Sequence, residues 1–93
     1  MIIGLVQCDC LIQESHSLKD KRSVIQSILR KATNGHNIAA SETGYQNVWQ
    51  RTALAFVSVG TSKVHVEQEL NRALRLIDSR TDIERTDTTY EWF

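Results

Sequence analysis

Proline is absent from this 93-residue chain, cysteine occurs only twice, and aromatic side chains make up 6% of it. Neither sign of charge is in excess: Lys and Arg total 11, Asp and Glu total 11, and the formal net charge is zero. That balance excludes a whole-molecule attraction to nucleic acid or acidic lipid, so any such affinity has to come from a local patch. No apolar run approaches the ~20 residues that a membrane-spanning helix needs. The first residues pass straight into a strand-like pattern without the basic segment of a signal peptide. The expectation is a cytoplasmic protein with no membrane contact. Cys8 and Cys10 lie two apart in a predicted strand. They point the same way along extended backbone and are poorly placed to pair with each other, which fits a reducing compartment. Nothing in the sequence accounts for the missing proline.

Chemical motifs are equally scarce. There is no Ser-His-Asp order, no glycine-rich phosphate loop and no zinc-ligand histidine pair. His16, His36 and His65 are scattered through loops and helix starts, and Cys8 with Cys10 cannot alone complete a four-ligand zinc site. The two cysteines read instead as small buried residues. Asp9 and Glu42 are expected to approach one another near the sheet end, but paired carboxylates without a pocket do not define catalysis. No catalytic residue, metal or cofactor is expected.

What the chain does contain is pattern. The stretch Val48–Gly60 (VWQRTALAFVSVG) is the longest β-branched-rich apolar run, and it alternates at period two. Trp49, Arg51, Ala53, Ala55, Val57 and Val59 share one face; Gln50, Thr52, Leu54, Phe56 and Ser58 share the other. A strand apolar on both faces toward its end is a central strand. Ile2–Leu11 is the first strand, with Ile2, Gly4, Val6, Cys8 and Cys10 facing the core. Ser17 caps a helix, with Asp20 three residues later, and Leu18, Val24, Ile25, Ile28, Leu29 and Ala32 form its apolar stripe. Gly35 stops that helix after Asn34. A short edge strand over Asn37–Thr43 and a turn at Gly44–Asn47 lead into the central strand. The second helix runs from about Lys63 to Ser79, on a stripe of Val66, Leu70, Ala73, Leu74 and Ile77. A Thr-rich, charged edge strand covers Asp82–Phe93.

The order βαββαβ, with two right-handed crossovers and a hairpin, predicts a single α+β domain over residues 1–93. This is the ferredoxin-like sandwich: an antiparallel sheet of strand order 4-1-3-2 with both helices on one face. The small residues Gly4, Ala53 and Ala55 would let the helices approach closely. The opposite sheet face is then open, and Ile3, Leu5, Leu54 and Phe56 are expected to cluster there. Four such side chains in contact call for a cover, either a second copy in a homodimer or another protein. A base-stacking platform of the RNA-recognition-motif kind is a weaker reading, because the central strands offer only Phe56. Trp49 reads as a lid on the core. Tyr90, Trp92 and Phe93 read as packing an edge or a partner.

Electrostatics supplies the second candidate site. Lys19, Lys21 and Arg22 crowd the first turns of the first helix, where the helix dipole favours acids. Free N–H groups with added cations make an anion site. Arg51, at the start of the central strand, is expected nearby. The predicted phosphate- or RNA-binding patch is therefore Ser17, Lys19, Lys21, Arg22 and Arg51. The plain alternative is that these cations pair with Asp9, Glu14, Asp20 or Glu42.

The segments HSLKDKRSV (16–24) and YQNVWQRTALAFVSV (45–59), with MIIGLVQ before them, resemble the YlxP-like family of small bacterial proteins, a domain of unknown function. The likeness runs over essentially the whole chain. Its Ser-Leu-Lys-x-Lys-Arg helix start maps to Ser17, Leu18, Lys19, Lys21 and Arg22, and its Trp-Gln-Arg strand start to Trp49, Gln50 and Arg51. The family pattern carries acids where this chain has Gly44 and Asn47, so that turn has lost charge suited to a metal or to acid–base work. The resemblance implies a ferredoxin-like fold and a bacterial, cytoplasmic protein. Genes of that family often sit among translation genes, so the resemblance implies a link to RNA or the ribosome. The leading expectation is a non-enzymatic protein that binds RNA or a ribonucleoprotein through the basic helix start. A protein-interaction module using the open sheet face comes next, and an enzyme acting on a phosphorylated small molecule is a distant third.

Overall fold

The computed structural model describes residues 1–13 and 15–93. Its elements are β1 (Ile2–Ile12), α1 (Leu18–Thr33), β2 (Ala39–Gly44), β3 (Arg51–Gly60), α2 (Lys63–Asp78) and β4 (Ile83–Trp92). The four strands form one antiparallel sheet in the order β2-β3-β1-β4. This is the α+β, ferredoxin-like arrangement expected from the pattern. Among the described residues no helix is long and apolar enough to cross a membrane.

Local chemistry explains the helix boundaries. The Ser17 side chain accepts a hydrogen bond from the Asp20 N–H at 3.1 Å, satisfying one of the open donors of the first turn of α1. Asp20 reaches back to the His16 N–H at 3.3 Å rather than to the cap residue itself. At the other end Gly35 turns left-handed at φ 72°. Ser62 caps α2 in the same way, accepting from the His65 N–H.

The core lies between the sheet and the helices. α1 lies over β2 and against α2, while α2 contacts β1, β3 and β4. From β1 come Val6, Cys8, Cys10 and Ile12, from α1 Ile25, Ile28 and Ala32, and from α2 Val66, Leu70, Ala73, Leu74 and Ile77. The face of β1 is the expected one. The face of β3 is reversed. Val6 pairs with Phe56 and Cys8 with Leu54, and both β3 side chains are 0% exposed within the core. Ala53, Ala55, Val57 and Val59 take the open side instead. Two hydroxyls disguised the buried face, and both are satisfied: Thr52 donates to Glu42 and Ser58 donates to the Asn37 carbonyl at 2.7 Å. Helix approach is eased at Gly4, where an added Cβ would lie 2.8 Å from both Trp92 and Val66.

Candidate functional site: the α1 start and the β2–β3 loop

Lys21 is the unexpected residue. It lies on the buried stripe of α1 with Ile25, Ile28 and Ala32, and only 1% of it is exposed. A buried ammonium needs partners. Its Nζ is 3.0 Å from Glu42 Oε2, on β2, and donates to the Tyr45 carbonyl at 2.5 Å. The same Glu42 oxygen accepts the Thr52 hydroxyl of β3 at 2.6 Å. One α1 side chain thereby ties down β2, β3 and the loop between them. Lys21 is not available to a phosphate, which corrects its place in the predicted patch. The sequence carried a signal for this: Lys21 precedes Ile25 by four residues and Ile28 by seven, the spacing of one helix face.

The loop runs from Tyr45 to Gln50. Tyr45 adopts φ 57°, left-handed and costly for a bulky residue. Its carbonyl also accepts the Val48 N–H at 3.0 Å. The Arg51 guanidinium sits 4.1 Å from the Tyr45 ring centroid, and Nη2 is 3.3 Å from Asp9 Oδ2. Gln50 connects the loop to the chain leading into α1: its carbonyl accepts the Ile12 N–H at 2.9 Å and its side chain donates to the Ser15 carbonyl at 3.4 Å. Tyr45, Val48 and Trp49 are 41%, 45% and 50% exposed. Trp49 is therefore no lid on the core; it stands on a turn outside it.

The predicted cationic patch is divided. Ser17 is occupied as a cap. Arg51 shares the open sheet face with its partner Asp9, whereas Glu42 lies on the helix side with Lys21, so the two carboxylates do not meet. Pairing thus absorbs two of the expected cations, Lys21 and Arg51. Lys19 and Arg22 are exposed and make no ion pair among the described residues. Glu14, a predicted alternative partner, lies outside the described residues. Arg22 borders a cleft of about 340 Å³ with Lys21, Gln26, Glu42, Gln46 and Asn47.

The predicted partner patch also changes. Leu54 and Phe56 are in the core, so they leave it. Ile3 and Leu5 stay on the open face, half-buried, where they pair with Val59 and Val57. Ala39 extends that apolar strip from β2.

Cys8 and Cys10 are buried, reduced and 3.8 Å apart, with the Cys10 thiol donating to Cys8. That hydrogen bond lowers the Cys8 thiol below its ordinary range and, with burial, raises Cys10. Among the described residues no group of three or more His, Cys, Asp or Glu is placed to hold a metal.

Comparison with known proteins agrees with this geometry at the level of family and fold. The family described as "Protein of unknown function (DUF503)" matches residues 3–90, and the chain belongs to it. It is 47% identical over 92 residues to the uncharacterized protein YlxP of Bacillus subtilis (strain 168), covering 99% of this chain and 100% of that one. Among solved structures it resembles a segment of the VAO-type flavoprotein MtVAO713 from Myceliophthora thermophila C1, with TM-score 0.59 and 11% identity. That match covers 99% of this chain but only 18% of the flavoprotein. The de novo designed protein Foldit4 matches with TM-score 0.55 and 13% identity, over 100% of this chain and 97% of the design. At such identities the structural matches speak to fold alone.

Proposed function

We propose that this protein binds RNA, or a ribonucleoprotein, in the cytoplasm, through the end of the molecule where α1 begins. One observation carries the reading: Lys19 and Arg22 project from the first turns of α1 without an ion-pair partner among the described residues. Cations at a helix N-terminus are unfavourable in the free protein and become favourable when a phosphate sits before them. In this reading Lys19 and Arg22 contact phosphates. Ser17 shapes the helix start, Lys21 fixes the adjoining loop, and Arg51 borders the surface from the other side of the sheet. The test is binding of a short structured RNA at low and near-physiological salt, beside a Lys19→Glu/Arg22→Glu variant. Binding that weakens steeply with salt and is lost in the variant is the expected result. No binding by the parent at low salt would sink the reading.

The apolar strip of Ile3, Leu5, Val57 and Val59 favours a second reading, a homodimer or partner contact through the open sheet face. Leu5→Glu with Val57→Glu should then lower the mass in solution by light scattering. An unchanged mass removes the homodimer.

A further inference from the structure

We infer that the loop between β2 and β3 binds an unpaired nucleotide, with its base stacked on Trp49. This rests on the RNA reading above and adds the class of RNA that the surface takes: single-stranded rather than duplex.

The loop holds apolar surface in water on fixed backbone. Tyr45, Val48 and Trp49 are all exposed within one short turn, while Trp92 is half-buried against the core. The turn is anchored at several points. Lys21 holds the Tyr45 carbonyl from inside the protein, Arg51 covers the Tyr45 ring, and Gln50 is bonded to Ile12 and Ser15. With Arg51 against the Tyr45 ring, the Trp49 indole is the aromatic surface that this loop leaves exposed to a visitor.

The composition of the loop favours a nucleotide over a peptide. From Gly44 to Arg51 the chain carries no carboxylate. Besides Tyr45 and Arg51, its polar side chains are the amides Gln46, Asn47 and Gln50, which can donate to and accept from base edges. The Gln46 and Gln50 amides donate to the carbonyls of Glu42 and Ser15, each at 3.4 Å. Asn47 makes no side-chain hydrogen bond among the described residues. Gln46 and Asn47 line the same cleft as Arg22 and as Glu42, whose carboxylate is paired with Lys21, so the charge left exposed beside the amides is a cation. Every base offers a π-face to an indole, and a tryptophan on a loop segment that carries no carboxylate of its own can accept it. A-form duplex hides base faces in the stack and presents a major groove that side chains cannot read, so an unpaired segment is the form that fits.

The experiment compares a 12-nucleotide single-stranded RNA with the same sequence in a blunt duplex, by fluorescence anisotropy, for the parent, Trp49→Ala, Trp49→Phe and Lys19→Glu/Arg22→Glu. Trp49 is surface-exposed, and thermal melting checks that each variant is folded. The parent should prefer the single strand. Trp49→Ala should weaken single-strand binding about tenfold and duplex binding little, consistent with the loss of one stacked base. Trp49→Phe should recover part of that loss. The charge variant should weaken both RNAs alike. If Trp49→Ala binds the single strand as well as the parent while the charge variant does not, the stacking site is overturned and the RNA reading survives. If the parent binds neither RNA at low salt, both fall, and the aromatics are left to a protein contact.

Discussion

Lys21 Nζ and Glu42 Oε2 lie 3.0 Å apart, one on a helix and the other on an edge strand, with the lysine sealed from solvent. Because each reaches across an element boundary, the pair decides how α1 seats on β2. Its value is asymmetric. Leaving either charge alone is costly, whereas removing both can be mild.

Lys21→Ala should therefore destabilise the protein by about 3 kcal/mol in urea unfolding. Lys21→Met combined with Glu42→Leu should lose less than the two single changes summed. A simple sum would show that the two side chains are not coupled.

Gly4→Ala should destabilise by about 1–3 kcal/mol through overpacking. The new methyl would meet Trp92 and Val66 at 2.8 Å and Leu70 at 3.0 Å. Thermal melting should show a lowered midpoint, and Gly4→Val should be worse.

Neighbouring residues of β3 should respond very unequally. Phe56→Ala opens a cavity in the core and should cost about 3–5 kcal/mol. Val57→Thr, on the open face, should cost less than about 1 kcal/mol. Denaturant unfolding of the two variants reads the strand's orientation directly.

Acid sensitivity should depend in part on Asp82. Arg80 donates to both of its carboxylate oxygens, at 2.9 and 2.8 Å, and this holds the carboxyl below its ordinary value of 3.8. A group lowered on folding stabilises the protein at higher pH and loses that contribution as pH falls through the folded value. The pair is partly exposed, so the effect is small. Asp82→Asn should lose less stability than the parent between pH 7 and pH 3, measured by urea unfolding at each pH.

Periodicity and cap chemistry made most of the fold legible. Ser17, Gly35 and Ser62 marked helix ends, and alternation identified the strands, their order and the buried side of β1. Alternation points to the wrong buried side of β3 because its large residues, Leu54 and Phe56, sit between two hydroxyls. Those hydroxyls find their partners only in three dimensions, on Glu42 and the Asn37 carbonyl. For the candidate site, residue type was legible and pairing was not. Lysine is ordinarily a surface residue, so Lys21 looked like one of three equivalent cations, although its helical spacing set it on the core face. Arg51 and Trp49 were placed at the correct end of the sheet. Alternation alone did not show that Arg51 turns toward Asp9 and Tyr45, or that Trp49 stands on a turn preceding the strand.

The Lys21–Tyr45 hydrogen bond has a thermodynamic consequence for recognition. A loop that is slack in the free protein must surrender its conformational entropy when a partner arrives, and affinity falls by that amount. Here the ordering is coupled to the packing of α1 on the sheet, so the cost belongs to folding and not to association. The Tyr45–Gln50 surface is accordingly preorganised, and its rigidity will be only as great as the stability of the core behind it.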